Sequence, residues 1–139
     1  MVCSDGSEAS NIAIENIKHG LLRETDELVI AHAWQLEKEE YLKYNLKRDY
    51  IREHAEADFT YMGNRFHYHE QEIRPEQGDT AKSCLNAMAK EVSADVTVVG
   101  YHGRKGPKED PTVMGSAVQY MSVRSESPVL IIKDPKSRE

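Results

Sequence analysis

Short runs of β-branched and aliphatic residues alternate along this chain with stretches in which apolar residues return every third or fourth position. Strand-like and helix-like periods in that order predict strands joined by crossover helices, hence a parallel α/β sheet. The first expected strand is a stub, Val2 to Ser4, ending at Asp5-Gly6-Ser7. The second, Leu28 to Trp34, is apolar almost throughout and so suits burial on both faces. Phe66 to Ile73 is a weaker candidate that fits a sheet edge. Val96 to Val99 runs directly into Gly100, and Pro128 to Ile132 is the last. Between them, a helix opening at Ser7 carries Ala9, Ala13, Ile17 and Leu21 on one stripe, with the Ser7 hydroxyl as its cap. From Glu37 to about Asn64 the chain is highly charged, yet Tyr44, Ile51 and Phe59 recur near helical spacing, which predicts one long exposed helix. A third helix, from Gly78-Asp79, lines up Ala81, Leu85, Met88 and Val92. A fourth runs from Ser116 to about Val123. The count is five strands and four helices, with no internal repeat.

Length narrows this to one domain spanning 1–139, large enough to bury a core. Apolar residues at 39% and charged residues at 30% describe a globular chain, and no run approaches the roughly 20 apolar residues of a membrane span. The start of the sequence has no secretory pattern. Cys3 and Cys84 make neither a disulfide framework nor a zinc set, so a reducing cytoplasmic setting is expected. The net charge of −6 repels phosphate backbones at long range and argues against nucleic acid as a partner. It leaves room for a small anion held locally by backbone N–H groups.

In an open parallel sheet, ligands sit beyond the carboxyl ends of the strands, where strand order reverses. Two segments are equipped for that place: Asp5-Gly6-Ser7, and Gly100-Tyr101-His102-Gly103 with the later Gly115-Ser116. Glycines let backbone approach a phosphate closely, and a helix starting at Ser116 offers its free N–H groups and dipole to an anion. Asp5 could accept from ribose hydroxyls, backbone at Ala33 could meet an adenine edge, and His102 could touch a phosphate or point to solvent. A glycine-rich loop in this position also serves as a plain tight turn. It is neither a Walker phosphate loop nor the dinucleotide fingerprint. No catalytic residue emerges: Ser7 has no assignable His–Asp pair, and capping explains it. No metal site is expected either. His67 and His69 share a face with no matching carboxylate or Cys, and read as solvated edge residues. Cys84, one step off its helix's apolar stripe, reads as a partly buried thiol, and Cys3 as core.

Taken together, Asp5-Gly6-Ser7-Glu8-Ala9-Ser10, His32-Ala33, Gly78-Asp79, Ala94-Asp95 before Gly100, Gly115-Ser116-Ala117-Val118 and Pro128-Val129-Leu130-Ile131-Ile132 resemble, in order, the landmarks of the universal stress protein family. The resemblance implies a Rossmann-like five-stranded sheet in the order 3-2-1-4-5 with helices on both faces, and a homodimer through Val129 to Ile132. It also implies a stress-response module that binds ATP or another adenine nucleotide, with or without Mg2+, and at most a weak ATPase or autophosphorylating activity. On that reading Gly100, His102 and Gly103 with Gly115, Ser116 and Ala117 hold the phosphates. Asp5 lies at the ribose side and Ala33 at the base. Eleven residues separate Gly103 from Gly115, two more than the family's nucleotide motif has, and they include Pro107, Glu109, Asp110 and Pro111. The alternative is a dimeric interaction protein of the same fold that has lost nucleotide binding.

Overall fold

In the computed structural model of the chain, residues 1–4, 8–23, 25–34, 49–53, 56–57, 65–101 and 116–133 are described. The elements are β1 (Val2–Cys3), α1 (Glu8–Asn16, prolonged by a π-helical turn Ile17–Leu21), β2 (Glu27–Trp34), α2 (residues 49–53), β3 (Arg65–Glu72), α3 (Ala81–Glu91), β4 (Thr97–Gly100), α4 (Ser116–Arg124) and β5 (Val129–Ile132). All four strand pairings are parallel and the order is β3-β2-β1-β4-β5. Both features match the expectation, including β3 at an edge.

Strand alternation divides the core into two layers. Val2, Leu28, Ile30 and Val98 face α1 and α2, where Ala13, Ile17 and Ile51 close the layer. Cys3 and Val99 face the opposite side, with Val118 and Met121 of α4 and Leu85 of α3 packed against them. Ile51 is buried, so the helix expected to be exposed has one face in the core. Of its expected span only residues 49–53 and 56–57 are described, and both pieces are helical. Cys84 is also more deeply buried than its place beside the apolar stripe suggested, and burial pushes its thiol pKa up, which makes it inert.

The start of α3 departs from the expectation for a local reason. Gly78 has φ of 82° and closes a 3-10 turn over Pro75–Gln77, and the helix begins at Ala81. Thr80 is the cap. Its hydroxyl accepts from the Ser83 N–H at 3.2 Å, while the Thr80 N–H donates to Ser83 Oγ at 2.9 Å. This is a capping box with serine in the place where glutamate or glutamine is usual.

At the other end of α3, Ser93 takes a left-handed conformation with φ of 51°. Its N–H donates to Lys90 O at 3.2 Å, and the Ala94 N–H donates to Ala89 O at 3.0 Å. That is the Schellman arrangement, in which glycine carries no steric penalty at the left-handed position. Ser93→Gly is therefore expected to raise stability by about 1 kcal/mol. The urea midpoint would move up; a lower midpoint would show that serine is held there by something stronger than its backbone cost.

Candidate functional site

The carboxyl ends of the strands are organised by register. Val2 pairs with both Ile30 and Val98, His32 with Glu70, and Gly100 with Ile132. The Ser4 N–H donates to Ala31 O at 2.9 Å, so the pairing continues one residue past β1. Two residues beyond Val2, Ile30 and Val98 stand Ser4, His32 and Gly100, which therefore share one level and one face of the sheet. Glu70 continues that level on β3.

The first turn of α1 rests on this row. A Cβ on Gly100 would meet the carbonyl carbon and oxygen of Ala9 at 3.0 Å and the Ala9 Cβ at 3.2 Å. One residue on, Ser10 Oγ lies 3.5 Å from Ser4 Oγ, both buried. Gly100 and Ser4 thus let the helix settle closely against the sheet. Gly100 needs no positive φ; among the described glycines only Gly78 has one. The Gly100 requirement is lack of bulk, met against a helix.

The row continues as a hydrogen-bonded chain. His32, 3% exposed, has its Nδ1 2.9 Å from Tyr68 Oη. Tyr68 Oη donates to Glu70 Oε2 at 3.2 Å. Of the four buried polar residues among the described ones, Ser4, Ser10 and His32 lie here, while Thr97 pairs with Ser127 at 2.7 Å near the other end of β4. The sequence reading missed Ser4, Ser10, Tyr68 and Glu70. Their only signal was the polar residues interrupting the apolar face of the strands.

Of the residues expected to form the site, Gly100 ends β4, and Ala33 lies half-buried near the end of β2 on the opposite face from His32. Ser116 is exposed at the first position of α4, with Ala117 half-buried beside it. Asp5, His102, Gly103 and Gly115 lie outside the described residues. His67 and His69 are not simply solvated. His67 Nε2 stands 2.6 Å from Glu27 Oε1, and His69 Nε2 3.1 Å from Glu91 Oε2, each pair partly exposed and so a small contribution. Among the described residues no cluster of three or more His, Cys, Asp or Glu can hold a metal, and no helix is long and apolar enough to cross a membrane.

A cavity of about 840 Å³ opens at the opposite end of the sheet, lined by Ile17, Leu22, Leu28, Val29, His67 and Val96 among others. It arises because the β1–β2 pairing starts at Val2↔Ile30 and leaves Glu27–Val29 of β2 without a register partner on that side. It lies away from the carboxyl ends, where parallel sheets place their chemistry.

Among curated proteins none matches the chain in sequence. Solved structures do share its fold. The hypothetical protein MJ0577 aligns at 19% identity over 96% of this chain and 94% of its own, with a TM-score of 0.79. A universal stress protein in complex with cAMP aligns at 24% identity over 95% and 93%, with a TM-score of 0.66. A universal stress protein family protein from Arabidopsis thaliana with AMP bound aligns at 16% identity over 95% and 90%, with a TM-score of 0.68. The universal stress protein family itself matches residues 1–133. With the parallel β3-β2-β1-β4-β5 sheet, and with α1 seated on Gly100 and Ser4 where β1 and β4 end, that match establishes that the chain belongs to the universal stress protein family.

Proposed function

We propose that the chain is a regulatory module that binds an adenine nucleotide across the carboxyl ends of β1, β2 and β4. The observation that carries this is the close seating of α1 on Gly100 and Ser4, at the carboxyl ends of β4 and β1 where strand order reverses. In this reading Asp5 accepts from the ribose hydroxyls and backbone at Ala33 meets the base. Gly100, His102, Gly103, Gly115, Ser116 and Ala117 surround the phosphates, with the exposed start of α4 giving its N–H groups to the anion. The solved relatives with cAMP and with AMP support the ligand class. With ATP, Mg2+ would neutralise part of the phosphate charge.

The test is to denature freshly purified protein and identify what it releases by chromatography and mass spectrometry. A stoichiometric adenine nucleotide is expected, together with loss of that nucleotide in a folded Gly115→Val variant. An empty protein with no thermal shift on adding ATP would overturn the reading in favour of an interaction module.

The same module is expected to pair with a second copy through β5. Val129–Ile132 is an edge strand of four aliphatic residues, all half-buried, with Val123 exposed on the helix before it. An unprotected apolar edge of this kind invites pairing. The opposite edge, β3, is armed with Arg65, His67, His69, Glu70 and Glu72, which discourages it. Light scattering at micromolar concentration should report a dimer that Leu130→Lys disperses; a monomer would rule the pairing out.

A further inference from the structure

β1 enters the sheet late. β2 begins at Glu27 and β4 at Thr97, while β1 holds only Val2 and Cys3 between them. Met1 nevertheless makes both bonds of a parallel ladder position opposite Thr97. Its nitrogen donates to Val96 O at 2.7 Å, and the Val98 N–H donates to its carbonyl at 2.7 Å. In line with Met1, between β2 and β4, lies the groove of about 840 Å³ at the amino ends of the strands.

Both walls of that groove are set for an extended backbone. Along a parallel strand, successive residues aim their N–H and C=O at alternate neighbours. Ala31 O accepts from the Ser4 N–H, so Ala31, Val29 and Glu27 all turn toward β1. The Val29 N–H and the Glu27 C=O therefore point into the groove ahead of β1. On β4, Val98 bonds to Met1, so the Val96 N–H points into it from the other side. The side chains agree with the backbone. Ile17, Leu21, Leu22 and Leu28 line the α1 face of the groove, and Val92 at the end of α3 lines the other. Two of the four large apolar side chains exposed among the described residues, Leu21 and Val96, stand here.

We infer that this groove is the seat of an extended apolar segment joined to the Met1 nitrogen, laid parallel to β2 and β4 as the first half of β1. The residue next to Met1 stands level with Leu28 and Val96, accepts from the Val29 N–H and donates to the Glu27 carbonyl. Its side chain shares the face of Val2, beneath α1, and the residue before it shares the face of Met1. Charge favours a joined segment over a separate peptide. Burial lowers the pKa of the Met1 ammonium, although Cys3 and Asp95 act to raise it. A peptide bond at that nitrogen keeps the N–H that Val96 accepts and removes a charge held partly out of water. A separate peptide would instead bring its terminal carboxylate among Asp26, Glu27 and Asp95, which line the same groove.

The test places a short run of valines ahead of Met1 in one version of the chain and an equal run of glycines in another. The valine version should melt roughly 5 °C above the glycine version. In it alone, amide exchange at Val29 and Val96 should slow by about tenfold or more. Aspartate in place of the valine next to Met1 should remove both gains. Equal melting temperatures, or unchanged exchange at those two amides, overturn the inference. Amino-terminal sequencing of the protein isolated from its own cells tests the occupant. Apolar, strand-forming residues ahead of Met1 are expected, and a natural chain beginning at Met1 overturns the assignment. A separate valine-rich peptide that protects the same two amides in the chain 1–139 overturns it as well.

Discussion

Gly100→Val is expected to destabilise the protein by about 3 kcal/mol, although valine is among the best residues for a buried parallel strand. The ideal Cβ at this position comes within 3.0 Å of the carbonyl carbon and oxygen of Ala9, and within 3.2 Å of its Cβ. Two of those three atoms are backbone, so no rotamer change relieves the contact. α1 would have to lift from the sheet. That displaces Ala13 and Ile17, which sit in the core below, and separates Ser10 from Ser4. Gly100→Ala meets the same atoms with one carbon and should cost about 1–2 kcal/mol. Gly20 supplies the control, since a Cβ there meets nothing within 4 Å and its alanine variant should lose no stability. Urea denaturation of the three variants checks the argument. A Gly100→Val midpoint equal to that of the wild type would mean that the close approach of α1 carries no energetic weight.

Ile30→Ala is the second large effect, with an expected loss of about 3–4 kcal/mol. Ile30 is 0% exposed in the middle of β2, paired in register with Val2 on one side and Tyr68 on the other. It lies beneath α1 with Ala13, Ile17, Leu28 and Val98. Strands on both sides and a helix above leave little freedom for the walls to collapse, so most of the deleted volume would remain as a cavity. Val123, 83% exposed on α4, is the comparison residue, and Val123→Ala should change stability by less than about 0.5 kcal/mol. A loss below about 1 kcal/mol at Ile30 would show that the layer repacks.

These two positions differ in how visible they were beforehand. Ile30 lies in an apolar run that announces a buried strand, and its burial followed from pattern. Gly100 was legible as a glycine at a strand end, but its reason was not. Read alone, it pointed to phosphate approach or a tight turn, whereas its lack of a side chain is required by Ala9, which lies far away in the chain. Thr80 was overlooked because the capping partner is Ser83 rather than a glutamate, so the helix was placed two residues early. The β3 histidines looked solvated because Glu27 and Glu91, which pair with them, belong to other elements. Much of the proposed phosphate loop, from His102 to Gly115, lies outside the described residues, and its part in the site rests on the family's motif and on the ends that flank it.

Periodicity in the sequence determined which segments are strands and which are helices, because alternation and helical stripes are properties of near neighbours in the chain. The order in which the two periods alternate pointed to the α/β class, and composition added that the chain is globular. The strand order was implied by family resemblance, and residue spacing alone did not contain it. Only the tertiary structure decided which residues share a level at the carboxyl ends. Register is set by packing between distant segments, and a shift of one residue would send His32 and Gly100 to the other face. The row of Gly100, Ser4, His32 and Glu70, with α1 resting on it, therefore exists in no local pattern. It appears when β2, β1 and β4 pair at one particular offset, because burying the apolar face of each strand leaves no other.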